Sequence, residues 1–400
     1  MPPGPVGMGT GVNTDAGTDE SVNGGGDAGR VMPEVPTFGV EEEYFLVEPG
    51  SGRISDAAGR VLARARSEDG FADTLTGEFT RYQIEGRTPP CTSLAELRAE
   101  LGAVRRAAAR AARAEGLRLC ASGTPVLGRA ATDAIGDHPR YRAGLAQYRS
   151  MMRDFAVCAQ HVHVHCPDPA RAVLVGNHLR PLLPALVALS ANSPYHEGRD
   201  TGYASWRTVI RQRFPCLGPP PYAESLAEWD RRAEAVTATE AMLDPAMPFW
   251  DVRPNPRLPT VEIRCPDVSA DLETAVRLAA LARAMVTAAD REVTRGDPGP
   301  RLGAEELRAA CWQAARDGVT GPAGESALRL VTRVREPLEA AGDLEPVESH
   351  VRRLVAGGSG ADAQREAARE AGLKGVVRRL VTQSETEPET EAAQDQGSRG

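Results

Sequence analysis

The stretch Phe38-Gly39-Val40-Glu41-Glu42-Glu43-Tyr44-Phe45-Leu46-Val47 carries three consecutive acids among β-forming residues, between Pro36 and Pro49-Gly50. That composition predicts a strand. Strand side chains alternate between faces, so Glu41 and Glu43 project together while Val40, Tyr44 and Leu46 reach a core on the other side. Two neighbouring carboxylates raise each other's pKa unless a cation lies between them. Alone, the run reads equally as a solvated acidic edge strand, because charge is usually exposed. The same alternation recurs. His161, His163 and His165 oppose Val162, Val164 and Cys166; Glu85 follows Ile84 in Tyr82-Gln83-Ile84-Glu85; Glu262 and Arg264 oppose Val261 and Ile263. Magnesium and manganese take carboxylate oxygens, and imidazole suits manganese and other transition ions. A metal-lined sheet is the sharper expectation.

Such strands need a covered face. Alternating rather than continuously apolar strands predict a mostly antiparallel sheet, although intervening helices taken alone would suggest a parallel one. Ser93 and Glu96 form a capping box ahead of Leu94, Leu97, Leu101 and Val104, predicting a helix to about Glu115 that stops at Gly116. Further helices are expected over Ala57 to Arg66, Tyr141 to Phe155, Ser205 to Arg213, Ser225 to Ala235 and Ala270 to Thr294. The apolar region leading to Leu189 is expected to be helical and kinked at Pro181 and Pro184. Strand pieces are expected at Glu78–Phe79, Tyr82–Gly86 and Leu117–Ser122, with loop or extended chain from Trp250 to Pro259. Beyond Gly303 three or four helices are expected, separated by Gly321, Gly342 and Gly357-Gly358-Ser359-Gly360. The polar ends predict disorder over 1–35 and 384–400, leaving one catalytic domain over 36–383 whose helical C-terminal part begins at about 303.

Composition bounds the function. The net charge of −8 argues against nonspecific nucleic-acid binding. Lys374 is the only lysine, so neither a Walker-type loop nor a Schiff base is expected. Seven dispersed cysteines without a CxxC pair suit reduced thiols. No secretory signal pattern opens the chain, and polar residues and prolines interrupt its most apolar run, so a cytoplasmic protein without a membrane span is expected.

Six motifs in order identify a resemblance: Phe38-Gly39-Val40-Glu41-Glu42-Glu43, Gln160-His161-Val162-His163-Val164, Leu189-Ser190-Ala191-Asn192-Ser193-Pro194, Asp200-Thr201-Gly202-Tyr203-Ala204-Ser205-Trp206-Arg207, Trp250-Asp251-Val252-Arg253-Pro254-Asn255-Pro256-Arg257 and Pro259-Thr260-Val261-Glu262-Ile263-Arg264. From Phe38 to about Arg283 the chain resembles the carboxylate–amine ligases, the second glutamate–cysteine ligase type, related in fold to glutamine synthetase. The resemblance implies an α+β fold: a curved, mostly antiparallel sheet with a concave metal- and nucleotide-binding face, backed by helices. It implies ATP and Mg2+ or Mn2+ as cofactors, and activation of a carboxylate, expected to be the γ-carboxyl of glutamate, as an acyl phosphate that cysteine or another amine attacks.

By the same resemblance Glu41, Glu43, Glu85, His161 and Glu262 are candidate metal ligands, and His163 an outer or alternate one. Arg264 would stabilise the phosphoryl group in transfer, with Arg257 as a second nucleotide-binding cation. Arg257 and Arg207 would grip a substrate carboxylate or a phosphate. Trp250 and Asp251 would shape the pocket, while Glu42 and Glu78 read as solvated or as lying just outside the ligands. Pro125 departs from the family, which usually has histidine after Gly123-Thr124. Partners are expected to be small molecules, with a homo-oligomer left open. A metal hydrolase and a non-catalytic nucleotide or metal binder are the competing classes; the first leaves the arginines unexplained and the second the full ligand set.

Overall fold

The computed structural model describes residues 32–67, 74–136, 138–245 and 248–385, and the expectations for 1–31 and 386–400 lie outside them. The acidic stretch is strand β1 (Phe38–Val47). With β2 (Leu75–Gly77), β3 (Gln83–Arg87), β4 (Arg118–Cys120), β5 (Gln160–His165), β10 (Val252–Pro254) and β11 (Thr260–Ile263) it builds a seven-stranded sheet. The order is β10-β11-β5-β1-β3-β2, with β4 on the far end of β1, and every pairing is antiparallel. Two small pairs lie outside it: β6 (Tyr195–His196) with β7 (Arg199–Asp200), and β8 (Leu217–Gly218) with β9 (Phe249–Trp250).

The alternation sorts the faces as expected. Val40, Tyr44, Leu46, Ile84, Val162, Val164, Val261 and Ile263 are all buried. The helices Leu94–Ala114 and Leu272–Thr294 pack behind them. Ser93 Oγ accepts from the Glu96 N–H, and the Glu96 carboxylate accepts from Thr92 N–H rather than from Ser93, one residue earlier than a capping box requires. Gly116 takes φ +73° and ends that helix. The helix lies close to the sheet: a Cβ at Gly86 would meet Val104 Cγ1 at 2.4 Å.

Glu42 overturns its reading as a solvated residue. It points into the covered face, is fully buried, and accepts from Arg105 Nε at 2.8 Å and Arg105 Nη2 at 2.6 Å. Tyr44 Oη donates to it at 2.6 Å, and Arg105 also donates to the Ser269 and Ala270 carbonyls. A buried carboxylate this well paired ties β1 to the helix behind it.

Other elements shift for local reasons. The helix expected over Tyr141 to Phe155 spans only Pro139–Tyr148, because Arg149 takes φ +51° and a 3-10 turn follows to Asp154. The apolar region becomes helices Pro169–Leu179 and Leu183–Leu189 joined by a 3-10 turn, and it is apolar because most of it lies in the core. Beyond Gly303 the helices are Ala304–Asp317, Pro322–Arg333, Arg335–Ala341, Leu344–Gly357 and Gly360–Glu385, the last interrupted at Ala371 and Gly372. The boundaries expected for the tails move outward. Met32 is buried in the core, and Glu385 is still helical, accepting from Arg113, Arg118 and the Leu119 N–H. All seven cysteines are free and buried.

Candidate active site

Strand register assembles the ligand-type residues. Glu41 pairs with His161, Glu43 with Glu85, Glu262 with His163, Arg253 with Glu262, and Thr76 with Glu85. Directly paired residues share a face, so all of them stand on the side opposite the helices. All but His163 border a cavity of about 610 Å³, within the range of small-molecule sites. One end of the cavity is aromatic, with Phe79, Tyr141, Phe155, Phe214 and Phe249.

All six expected metal ligands fall into three overlapping groups whose ligating atoms lie within 4.8 Å of one another: Glu41, Glu85 and His161; Glu43, Glu78 and Glu85; Glu41, His163 and Glu262. Glu78 stands within one of these groups rather than just outside the ligands. Sequence reading placed it on a strand piece but missed it, because β2 ends at Gly77 and the alternation is lost.

Electrostatics separates the acids. Burial pushes the Glu85 carboxyl well up, and Glu41, Glu78 and Glu43 push it further. Glu78 rises to about 8 through burial and repulsion from Glu43. Burial likewise raises Glu43, against the pull of Arg207, the Ala159 N–H and Arg264. Burial opposes ionisation of Glu41 too, but the hydrogen bond with His161 and the adjacent His163 ring hold it well below the usual carboxylate range. His161 is lowered to about 3 by burial and Arg264, so its ring is neutral. Its Nδ1 lies 3.3 Å from Glu41 Oε2. A neutral ring donating there keeps its lone pair on Nε2, which faces Glu43 Oε1 at 3.8 Å. Histidine ligands are commonly oriented in this way by a carboxylate. His163 directs Nδ1 to Thr260 Oγ1 at 3.1 Å, while its buried Nε2 has no hydrogen-bond partner and lies 3.6 Å from Glu41 Oε2. His165, half-buried at the end of β5, joins none of these groups.

The donor set therefore fits a divalent cation. Carboxylates crowded out of water, a neutral imidazole and an unpartnered ring nitrogen are what a hard or borderline cation satisfies.

Arginines line the rest of the cavity. Glu262 is buried and accepts from Arg253 Nε at 2.8 Å and Nη2 at 3.1 Å, from Asn255 Nδ2 at 2.8 Å and from Arg264 Nη1. Despite burial, Arg264 and Arg253 hold it well below the usual carboxylate range. Arg264 lines the cavity as expected, but its guanidinium is engaged by Glu262. Arg253 and Asn255 went unassigned because their short segment reads as loop or extended chain; alternation of Asp251 with Arg253 was the available signal.

Arg207 and Arg257 part company. Arg257 is exposed on the loop at the cavity wall. Arg207 is buried, and its terminal nitrogens donate to the Cys265 and Arg264 carbonyls at 2.9 and 3.1 Å. Asp267, 3.7 Å from Arg207, also accepts from the Asn192 N–H, Ser193 Oγ and Ser205 Oγ, so one buried carboxylate gathers two of the sequence motifs. Arg207 is built as a brace behind Arg264, although its side chain also borders the cavity and its Nε has no hydrogen-bond partner. Trp250 is buried against Trp229, and Asp251 binds Arg211 at 2.7 Å, so both support the wall.

Comparison with known proteins agrees with this architecture. A provisionally named glutamate–cysteine ligase 2-2 of Saccharopolyspora erythraea is 41% identical over 345 residues, covering 83% of this chain and 88% of that protein. A provisionally named glutamate–cysteine ligase 2-2 of Mycolicibacterium vanbaalenii is 41% identical over 347 residues, covering 84% and 94%. Among solved structures, the glutamate–cysteine ligase of Francisella tularensis in complex with AMP superimposes with a TM-score of 0.67 at 12% identity, over 90% of this chain and 91% of that one. The bifunctional glutathione synthetase of Pasteurella multocida gives 0.65 at 14%, over 88% of this chain and 51% of that one. At such identities these structures speak for the α+β fold alone. The profile described as glutamate-cysteine ligase family 2 matches residues 37–384, and the chain belongs to that family.

Proposed function

We propose that the protein is an ATP- and divalent-cation-dependent ligase that joins a carboxylate, the γ-carboxyl of glutamate, to the amine of cysteine or a related amine. The observation that carries this reading is the cavity's make-up: the ligating atoms of Glu43, Glu78 and Glu85 stand within 4.8 Å of one another, while Arg253, Arg257 and Arg264 line the same space. Joining a carboxylate to an amine in water is uphill, so ATP must first phosphorylate the carboxylate. Bringing a carboxylate to a triphosphate concentrates negative charge, which bound cations would offset. Glu41, Glu43, Glu78, Glu85, His161, His163 and Glu262 would hold them.

The chain's own groups supply the rest. Arg264 offers a permanent positive charge to the phosphoryl group, and Arg257 a second one from the loop. Arg207 fixes the main chain at Arg264 through its bonds to the Arg264 and Cys265 carbonyls. The aromatic end of the cavity excludes water, protecting an acyl phosphate from hydrolysis until the amine arrives. A hydrolase reading would leave these arginines without a task.

The test is ADP and phosphate release from ATP and Mg2+, with mass detection of product over a panel of amino acids and amines. Release that needs both glutamate and an amine supports the ligase. Release indifferent to both, or none over the whole panel, rejects it.

A further inference from the structure

Glu262 has more cationic partners than one carboxylate needs, and the two are held very differently. Arg253 is 3% exposed, grips both carboxylate oxygens, and places Nη1 on the Pro248 carbonyl at 2.6 Å. All its nitrogens are engaged, and it cannot leave without stranding a buried charge. Arg264 reaches the same carboxylate through Nη1 alone. Its Nε is buried without a hydrogen-bond partner, and its side chain borders the cavity. Beside this contact, His163 Nε2 is also unpartnered, and the ligating atoms of Glu41, His163 and Glu262 lie within 4.8 Å of one another. One guanidinium is thus fixed, and the other occupies a carboxylate oxygen that a cation would want.

We infer that Arg264 is the exchangeable partner of Glu262: it neutralises the carboxylate in the cation-free protein and is released toward the cavity when a divalent cation takes its place. The inference rests on the ligase reading only in assigning cations to this acid cluster. Glu262 already binds Arg253, so a second guanidinium on it is redundant, and like charges side by side repel. Burial and, after it, repulsion from Arg264 lower the Arg253 pKa to about 10. The exchange gives an order to the site: the guanidinium meant for the phosphoryl group becomes available only after a cation has bound. A single residue would therefore link cation loading to readiness for phosphoryl transfer.

The test is Mn2+ affinity of the full chain without nucleotide, read by electron paramagnetic resonance of the free ion. If Arg264 competes with the cation, Arg264→Ala tightens Mn2+ binding by about tenfold or more, the scale of one close charge in a partly buried site, while abolishing turnover. Arg264→Gln, which keeps most of the volume, does the same and covers the case in which the alanine variant fails to fold. Arg140→Ala removes another positive charge from the same cavity but none bonded to Glu262, and is expected to change affinity by less than about threefold. A crystal structure with Mn2+ should show the Arg264 guanidinium off Glu262. Equal tightening by Arg140→Ala and Arg264→Ala would reduce the effect to general field strength and overturn the exchange. Unchanged or weaker binding in the Arg264 variants, or an intact Arg264–Glu262 contact beside bound Mn2+, would overturn it while leaving the ligase reading standing. No Mn2+ binding by the parent would remove the cation assignment and the exchange with it.

Discussion

Glu43 and Glu85 stand directly opposite each other across β1 and β3, a cross-strand pair of like charges in a buried site. Such pairs destabilise a sheet. With Glu78 beside them, they form a group whose fold is costly without a compensating cation. The proposed cation would offset that cost.

A pH dependence follows, and its sign can be worked from Glu78. Its carboxyl is raised from 4.5 to about 8, so the folded state favours the protonated form. For a group raised in this way, the favourable contribution is complete below the unfolded pKa and is lost as pH rises toward the folded one. Cation-free protein should therefore lose stability between about pH 4.5 and about 8 relative to Glu78→Gln, which cannot ionise. Mg2+ or Mn2+ should restore it, more strongly at the upper end, because binding displaces protons. Thermal melts of both proteins across this window, with and without cation, are the check. Parallel curves for the two proteins would contradict the shift.

Glu85→Gln should separate stability from activity. The amide keeps the volume and replaces a carboxyl whose charged form burial and its acidic neighbours disfavour, so the cation-free melting temperature should rise. Turnover should fall by about 100-fold or more, the scale of losing one preorganised electrostatic group. An active variant would show that Glu85 is not needed to hold a cation.

Glu262→Gln is the opposite case. In the structure that substitution leaves Arg253 and Arg264 without their carboxylate in a buried setting. Breaking a buried pair costs about 3–5 kcal/mol. Loss of activity there should come with a lower midpoint in urea, so Glu85 is the cleaner probe of cation binding. An unchanged midpoint would mean that the arginines find other partners.

What was legible in the sequence is what strand alternation encodes locally. Glu41, Glu43, Glu85, His161, His163 and Glu262 reach one face because period-two spacing fixes the side on which a residue lies. Partners distant in sequence were not legible. Arg105 is one of many arginines on a helix whose apolar stripe is Leu94, Leu97, Leu101 and Val104, and nothing around it announces a buried bond to Glu42. Glu78 was lost with the end of its strand, and Arg253 in a strand too short to show a period. The brace role of Arg207 depends on carbonyls of residues 264 and 265, which only folding brings to it.

The Glu42–Arg105 pair predicts strong coupling behind the site. Arg105→Met leaves Glu42 fully buried beside Tyr44 with no counter-charge, and should cost about 3–5 kcal/mol. Adding Glu42→Gln should recover much of that, because no uncompensated charge remains. A double-mutant cycle in urea measures the coupling directly. Additive single effects would show that the pair contributes packing alone.

Arg257 and Arg207, alike from sequence, should fail differently. Arg257 is exposed on the loop that borders the cavity, so Arg257→Ala should leave the melting temperature nearly unchanged. If it grips a phosphate or substrate carboxylate in both the ground and transition states, KM should rise several-fold, roughly the worth of a partly solvated charge, with a smaller change in kcat. Arg207→Met removes two donors from the carbonyls of Arg264 and Cys265 and strands Asp267, so stability should drop. In the fraction that still folds, kcat should fall more than KM changes, because Arg264 loses the main-chain support that aims it at the transferring group. Melting curves and steady-state kinetics on both variants decide the matter. A large stability loss at Arg257, or a pure KM effect at Arg207, would reverse the two assignments and make Arg207 the residue that touches substrate.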